Sequence, residues 1–312
     1  MTRHFLDICD LDAATLRAIV DDAHRRKAAR KGWTQGRVDA DAPAKERVLA
    51  MIFEKNSTRT RFSFDAAIRQ LGGSAIISTA SDMQLGRGEP IEDTSKVLSR
   101  MVDAIMIRAN RHEDVLRLAA VSTIPVVNGL TNLSHPCQIL ADIQTIEEHR
   151  GPIAGKVLAW VSDGNNVCNS LIHAAARFDF ELRIACPEGY KPSMDAMVFA
   201  AQHGAKVTVG SDPRAAVEGA DVVLADTWVS MGDLDHDERL MAFHAYQVDN
   251  KLMGLARKDA VFLHCLPAHR GEEVADEVID GPQSLIWDEA ENRIHAQKAI
   301  LAWCFGASSL VD

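Results

Sequence analysis

Apolar runs of strand length alternate with amphipathic segments of helix length along most of the chain. The runs predicted to be strands are Val48–Phe53, Ser74–Ser78, Ala104–Ile107, Pro125–Asn128, Val157–Val161, Glu181–Ala185, Lys206–Val209, Val222–Ala225, Val261–His264 and Ser284–Trp287. Regular alternation of strands and helices is typical of parallel sheets with helices on both faces. The pattern therefore predicts an α/β fold.

These ten strands suit two sheets better than one, so we predict two doubly wound parallel-sheet domains linked by helices. The first domain is expected over residues 1–147 and the second over residues 148–288. The connecting helix is expected to end at Gly151-Pro152, because both residue types terminate helices. The last helical pattern, within residues 289–312, is expected to pack back on the first domain.

The segment after the first predicted strand has the pattern of a helix. Phe64, Ile68 and Leu71 recur at the spacing of one helical face, and Gly72-Gly73 ends the pattern. The sequence STRTR stands at the start of this segment, where Ser57 is well placed to cap the helix.

Helix N-termini bind anions through main-chain N–H groups, and Arg59 adds a planar donor group that suits phosphate oxygens. Neither a Walker loop nor the G-x-G-x-x-G fingerprint is present, so a usual nucleotide site is not predicted. Taken alone, the segment fits an anion site and a capped helix with solvated arginines about equally.

The net charge of −10 argues against nucleic acid as the main partner, because binding to a phosphate backbone needs a broad basic surface. No apolar run approaches the roughly 20 residues that span a bilayer, and the N-terminal sequence lacks a signal-peptide core, so no membrane partner is expected. The six cysteines include no C-x-x-C pair. We therefore predict reduced thiols, a cytoplasmic location and no zinc knuckle.

Other fragments place polar groups at predicted strand ends or in helices. The fragment MIRANRH ends a predicted strand with Arg108, and the fragment NLSHPCQ contains His135 and Gln138. The fragment FLHCLPAHRGEEV places Cys265 after a predicted strand, and the fragment ENRIHAQKA contains Arg293. Each fragment has an ordinary structural explanation. Together, STRTR, HPCQ, DTWVSMGD and HCLP resemble the aspartate/ornithine carbamoyltransferase family in content and order. WVSMG and HCLP resemble its ornithine branch, and the likeness covers essentially the whole chain.

The resemblance implies transfer of a carbamoyl group from carbamoyl phosphate to the side-chain amine of ornithine, which gives citrulline and phosphate. The resemblance also implies a role in arginine metabolism. Biosynthesis is the expected direction, although the synthesis and the breakdown of arginine use the same site. Phosphate is a good leaving group, so no cofactor, metal or covalent intermediate is expected. The resemblance also implies a homotrimer in which Gln84, from SDMQLGRGEP, reaches the site of a neighbouring subunit.

The resemblance further assigns binding residues. Those expected to bind carbamoyl phosphate are Ser57, Thr58, Arg59, Thr60, Gln84, Arg108, His135, Gln138, Cys265, Leu266 and Arg293. Those expected to take part in catalysis are Thr60, Arg108, His135 and Cys265. Those expected to bind ornithine are Asn166, Asp226, Ser230 and Met231. No general base for the attacking amine is assigned.

Three alternatives stay open on the sequence. The amine could be an acylated ornithine, putrescine or aspartate, although the intact DTWVSMGD favours free ornithine. VSDGNNV resembles a dinucleotide-binding turn, but the missing glycine fingerprint argues against an oxidoreductase. A non-catalytic paralogue that serves as a binding or regulatory subunit would commonly lack a charged catalytic residue, and none is missing from the motifs.

Overall fold

Nine parallel strands and the helices between them form the part of the chain that the structure describes. The structure is a computed structural model. It describes residues 2–55, 57–79, 83, 88–229 and 235–307. It divides into unit 1, residues 1–144 and 291–312, and unit 2, residues 145–290. The division points fall inside two helices.

Unit 1 contains a parallel sheet with the strand order β2-β1-β3-β4. Its strands are β1 (Val48–Phe53), β2 (Ser74–Thr79), β3 (Ala104–Arg108) and β4 (Val126–Leu130). Its helices are α1 (Ala13–Ala29), α2 (Thr58–Gln70), α3 (Ile91–Leu98), α4 (His112–Val121), most of α5 (Pro136–Arg150) and most of α12 (Ile286–Cys304). Because the strands are parallel, their carboxyl ends lie along one edge of the sheet. Helix α2 begins just after β1 at this edge, and β3 ends there at Arg108.

Unit 2 contains a second parallel sheet, with the strand order β7-β6-β5-β8-β9. Its strands are β5 (Val157–Val161), β6 (Glu181–Ala185), β7 (Val207–Gly210), β8 (Val222–Ala225) and β9 (Val261–His264). Its helices are α6 (Asn166–Phe178), α7 (Met194–Gln202), α8 (Pro213–Val217), α9 (His236–Phe243), α10 (Asn250–Met253) and α11 (Asp276–Ile279), with a 3-10 turn at His244–Tyr246. The predicted fold class of two parallel-sheet α/β domains is confirmed.

The prediction of a tenth strand at Ser284–Trp287 is wrong. Ser284 makes only an isolated bridge to Phe262, and helix α12 begins at Ile286. Asp288 and Glu289 lie in the first turn of this helix, where acidic groups favour the helical dipole. Trp287, predicted as the last residue of that strand, is 64% exposed. The apolar run is therefore a helix start, which a short run cannot reveal by periodicity.

Helix α2 forms as its sequence predicts. The side chains of Phe64, Ile68 and Leu71 are fully buried on one face. The chain reverses at Gly72, whose φ of +90° is a conformation that L side chains rarely adopt. At Gly73, an added Cβ would lie 2.8 Å from the carbonyl oxygen of Arg47. The two glycines thus end the helix and let the chain return closely beside β1.

Asp39, in the weakly patterned stretch before β1, is the centre of a buried charge network in unit 1. Its carboxylate accepts a hydrogen bond from Arg30 Nη1 at 2.7 Å and lies 2.6 Å from Lys298 Nζ. Arg26 Nη1 is 3.4 Å from the same carboxylate. Burial lowers the pKa of Lys298 to about 8, although its contact with Asp39 opposes this shift. One carboxylate thus links α1 to α12.

In the described parts of the chain, none of the helices combines the length and apolar character that a membrane crossing requires.

We expect Asp39→Asn to lower the free energy of unfolding by about 3–5 kcal/mol, because it leaves buried cationic groups uncompensated. The matched control is Asp93→Asn, which removes one partner of an ion pair with Lys96 whose side chains are 56% and 60% exposed. That variant should change the free energy of unfolding by less than about 1 kcal/mol. Urea denaturation of both variants measures the difference, and equal effects would contradict a stabilising network.

Candidate active site

The N-terminus of α2 lies just beyond the carboxyl end of β1, and a side-chain cap stabilises its first turn. Ser57 Oγ accepts a hydrogen bond from Thr60 N at 3.2 Å, as the sequence predicts. Thr58 is exposed and Arg59 is half-buried in the same turn. Uncompensated N–H groups at a helix start carry partial positive charge, so this turn suits an anion.

Two arginines from distant parts of unit 1 converge on the buried hydroxyl of Thr60. Arg108, at the end of β3, donates from Nη1 to Thr60 Oγ1 and to Ser57 Oγ, both at 3.2 Å. Arg293, on α12, donates from Nη2 to Thr60 Oγ1 at 2.9 Å. A guanidinium group donates hydrogen bonds and accepts none. The two arginines therefore use both lone pairs of the Thr60 hydroxyl oxygen as acceptors. The hydroxyl hydrogen is therefore left to donate elsewhere.

His135 and Gln138 lie at the start of α5, in the same unit. His135 is buried, and its pKa is lowered well below the ordinary value of 6.5 by burial and by the charges of Arg293, Arg108 and Arg59. Near neutral pH the imidazole is therefore uncharged and carries one N–H donor. Gln138 Nε2 donates to Asp142 at 2.8 Å, which turns the amide oxygen away from that carboxylate.

The predicted ligands of unit 1 thus form one cluster. Those that the structure brings together are Ser57, Thr58, Arg59, Thr60, Arg108, His135 and Arg293. Gln138 is buried one turn beyond His135 on α5. The cluster presents cationic and hydroxyl donors at a helix N-terminus, which is an arrangement that binds phosphate.

Asp226 is the centre of a second cluster, which lies in unit 2. Its buried carboxylate accepts from Asn165 Nδ2 at 2.7 Å, from the Cys265 thiol at 3.0 Å and from Thr227 N at 2.8 Å. Asp226 follows β8 and Cys265 follows β9, and these strands are neighbours in the sheet. A fixed carboxylate at this edge suits a cationic partner such as an ammonium group.

The turn after β9 holds Cys265 and Leu266 in a defined conformation. Leu266 has a φ of +58°, which is disfavoured for a residue with a side chain by roughly 1–2 kcal/mol. Its main-chain N–H donates to His264 Nδ1 at 2.9 Å. Contacts within the folded structure therefore maintain a main-chain conformation that Leu266 would rarely adopt by itself.

The turn before α6 explains why VSDGNNV is not a dinucleotide site. The Asn165 side chain accepts from Val167 N at 2.9 Å and from Cys168 N at 3.1 Å, so the donors that would meet a pyrophosphate are already used. An added Cβ on Gly164 would lie 2.0 Å from Pro192 N. The glycine is thus required for close packing of the chain. Asn166, predicted to bind ornithine, is the first residue of α6 and is half-buried.

Sequence reasoning missed two contributors to unit 2. Asn165 was not among the predicted ligands, yet it caps α6 and also donates to Asp226. Arg239, on α9, donates to the carbonyl oxygen of Trp228 and to the carboxylate of Asp163. It thereby links Trp228, which lies shortly after β8, to Asp163. Neither link has a local sequence signal, because each joins residues from separate elements.

Three predicted ligands, Gln84, Ser230 and Met231, lie outside the described residues. Among those that are described, the donor atoms of Asp226, His264 and Cys265 lie within 4.8 Å of one another, as those of a metal site would. Each of these three side chains has a protein partner, since Asp226 pairs with the Cys265 thiol and His264 Nδ1 accepts from Leu266 N. Hydrogen bonding within unit 2 accounts for their proximity.

Comparison with known families agrees with the two clusters. The family description "Aspartate/ornithine carbamoyltransferase, carbamoyl-P binding domain" matches residues 3–148. The description "Aspartate/ornithine carbamoyltransferase, Asp/Orn binding domain" matches residues 154–304. The chain belongs to the aspartate/ornithine carbamoyltransferase family. The resemblance identified from the motifs is confirmed.

Individual members of this carbamoyltransferase family are similar over nearly the whole chain. An ornithine carbamoyltransferase of Caulobacter vibrioides is 73% identical over 305 residues, with 98% of each chain covered. The solved ornithine carbamoyltransferase of Pyrococcus furiosus has a TM-score of 0.92 and 46% identity, covering 98% of this chain and 97% of that one. The anabolic ornithine carbamoyltransferase of Campylobacter jejuni has a TM-score of 0.89 and 40% identity, covering 97% and 98%.

Proposed function

We propose that the chain transfers the carbamoyl group of carbamoyl phosphate to the side-chain amine of ornithine, which gives citrulline and phosphate. The observation that carries the proposal is the convergence of Arg108 and Arg293 on Thr60 at a capped helix N-terminus. Membership of the carbamoyltransferase family and the match to its ornithine branch support the choice of substrates.

The phosphate group binds at the first turn of α2. Ser57, Thr58 and Thr60 supply hydroxyl and main-chain donors, and Arg59 supplies a guanidinium group. The positive end of the helix dipole favours the dianionic phosphate. Gln84 is proposed to add a contact from a neighbouring subunit, as the resemblance implies. These contacts fix carbamoyl phosphate in place and stabilise the negative charge that phosphate carries as it leaves.

The Thr60 hydroxyl, His135 and Arg108 act on the carbonyl oxygen. Two arginines donate to Thr60 Oγ1, at 3.2 and 2.9 Å, so the hydroxyl hydrogen points away from them and can donate to the substrate. Donation to two lone pairs also polarises this hydroxyl. Neutral His135 donates its single N–H. Groups fixed in this way stabilise the oxyanion that forms when the amine attacks.

The carbamoyl NH₂ group needs acceptors. The amide oxygen of Gln138 is one, because Nε2 of the same amide donates to Asp142. The main-chain carbonyl groups of Cys265 and Leu266 are the others. Acceptors on the NH₂ side and donors on the oxygen side distinguish the two ends of the planar carbamoyl group. Orientation of this kind can contribute roughly 7–11 kcal/mol to lowering a barrier.

Ornithine binds through its α-substituents. Asp226 pairs with the α-ammonium group, and Asn166 donates to the carboxylate, with Ser230 and Met231 as further ligands. The side-chain amine attacks the carbonyl carbon to form the tetrahedral oxyanion, which then collapses as the C–O bond to phosphate breaks. It loses a proton in the process, and the departing phosphate is a suitable acceptor. Cys265 orients the amine, because its thiol is fixed by Asp226 at 3.0 Å.

We expect Arg108→Ala to lower kcat by about 10²–10³-fold, since it removes a charged donor from the oxyanion and from Thr60. Arg100→Ala, which removes an exposed arginine of the same unit, is the control and should leave kcat within about twofold. A citrulline assay at saturating substrates measures both variants. Activity of Arg108→Ala within tenfold of the native chain would contradict the assignment.

We expect Asp226→Asn to raise KM for ornithine at least tenfold, because a buried carboxylate that meets an ammonium group loses a charge pair of about 2–5 kcal/mol. Asp237→Asn, at a fully exposed carboxylate of α9, should leave KM unchanged. An amine panel of ornithine, N-acetylornithine, putrescine and aspartate tests the same point. Ornithine should be the best substrate of the native chain. A preference for an amine without the α-ammonium group would contradict the proposal.

We further propose a homotrimer. The edge strand β2 exposes 56% of Ile76 and 38% of Ile77, and Phe62 on the adjacent α2 is 70% exposed. An exposed apolar strand edge favours association with another chain. Light scattering should give three times the 34.1 kDa of one chain.

The matched variants for this test are Ile76→Asp and Met241→Asp, which change apolar residues that are 56% and 81% exposed in units 1 and 2. Ile76→Asp should weaken the trimer, whereas Met241→Asp should not. A native chain that remains monomeric at micromolar concentration would contradict this assembly.

A cytoplasmic location and a role in arginine biosynthesis complete the proposal. All six cysteines lie among the described residues, and none is in a disulfide bond, which supports a reducing compartment. The similarity to an anabolic enzyme of Campylobacter jejuni supports biosynthesis. Saturation by carbamoyl phosphate and inhibition by phosphate distinguish this direction from breakdown.

A further inference from the structure

The turn that carries Cys265 and Leu266 is anchored by a buried carboxylate further along the chain. Glu273 and His264 are both fully buried, and Glu273 Oε1 lies 3.2 Å from His264 Nε2. On the other side of the ring, His264 Nδ1 accepts from Leu266 N at 2.9 Å. Because Nδ1 is an acceptor, the proton of the neutral ring is on Nε2, from which it donates to Glu273. A continuous chain of hydrogen bonds thus runs from Glu273 to Leu266.

The anchor itself is rigidly held. The Glu273 carboxylate also accepts from His269 N at 2.5 Å, and its main-chain carbonyl accepts from Val248 N at 2.9 Å. His264 N donates to Glu289 Oε2 at 2.8 Å. Both ends of the Glu273–His264 contact are therefore fixed by bonds that do not involve the turn. The orientation of the imidazole ring is therefore supported by contacts other than its bond to Leu266.

Leu266 depends on this orientation. Its φ of +58° is unfavourable, and its N–H bond to His264 Nδ1 is the contact that offsets the strain. Without a fixed ring, the peptide between Cys265 and Leu266 could rotate toward a more favourable conformation. The carbonyl group of Cys265, which belongs to this peptide, would then change direction, and the carbonyl group of Leu266 that follows it would be displaced.

We propose that Glu273 is a positioning residue for the transfer reaction, which through His264 aims the main-chain carbonyl groups of Cys265 and Leu266 at the carbamoyl NH₂ group. This inference rests on the proposed function, since it needs carbamoyl phosphate as the substrate. Glu273 touches no substrate in this account. It acts only through the ring that it orients and the turn that the ring holds.

The proposal predicts a selective defect. Carbamoyl phosphate presents an NH₂ group to the turn, whereas inorganic phosphate has none and binds only at the α2 N-terminus. Loss of the anchor should therefore weaken carbamoyl phosphate and leave phosphate unaffected. A general loosening of the fold would weaken both, so the ratio of the two constants separates positioning from stability.

The decisive variant is Glu273→Met, which keeps the length of the side chain and removes both acceptor oxygens. Glu273→Gln keeps one acceptor oxygen and serves as the conservative rescue. The matched control is Glu272→Met, at the neighbouring carboxylate, whose side chain is 37% exposed. For each full-length variant, steady-state assays give KM for carbamoyl phosphate and Ki of inorganic phosphate as a competitive inhibitor.

We expect Glu273→Met to raise KM for carbamoyl phosphate at least tenfold and to lower kcat, with Ki of phosphate within twofold of the native value. Glu273→Gln should recover most of the loss, and Glu272→Met should resemble the native chain. Equal changes in KM and Ki, or no change in either, would overturn the proposal. A native chain that makes no citrulline would instead overturn the proposed function.

If Glu273→Met does not fold, His264→Gln replaces it, because a glutamine amide can still reach Glu273 but offers Leu266 N no acceptor at the Nδ1 position. The same selective rise in KM is then expected. Failure of both variants to fold, judged by circular dichroism, would assign the contact to stability alone and contradict the proposal.

Discussion

The site depends on a concentration of positive charge that unit 1 holds around one hydroxyl group. Arg108 and Arg293 both donate to Thr60, and Arg59 lies in the same helical turn. Like charges repel, so an anion that joins this cluster is favoured there. Burial and the charges of these arginines lower the pKa of His135 and keep its ring neutral. A dianionic phosphate, as proposed for the donor substrate, would carry the charge that suits this cluster.

Unit 2 meets a different requirement, which is to hold polar groups in fixed directions. Asp226 receives three donors, and the turn after β9 is stabilised through His264 by Glu273. These contacts leave little freedom to the groups at the edge of the sheet. Preorganised dipoles of this kind lower a barrier without the cost of rearranging during the reaction. Concentrated charge is thus the feature of the cluster in unit 1, and fixed direction is the feature of the cluster in unit 2.

Much of the fold could be predicted from local sequence. The strand Val48–Phe53, the cap at Ser57 and the buried face of α2 follow from apolar spacing and from turn chemistry, which act over a few residues. The segment Ser284–Trp287 was wrongly predicted because a short apolar run is compatible with a strand and with the start of a helix.

The motifs also indicated most of the candidate ligands, but not the groups that hold them. Asn165 contacts Asp226 across 61 positions, and Arg239 contacts Asp163 across 76. Asp39 lies in a stretch without a clear pattern, yet it pairs with Lys298 near the far end of the chain. Such contacts arise only when the chain has folded. No spacing rule along the sequence reveals them.

A crystal structure of the chain with inorganic phosphate bound is the most direct measurement of the central claim. The account predicts phosphate oxygens at hydrogen-bonding distance, about 2.7–3.2 Å, from the guanidinium groups of Arg59 and Arg108 and from the first-turn N–H groups of α2. A phosphate bound away from this turn, with Arg108 and Arg293 still on Thr60 and no ligand beside them, would contradict it.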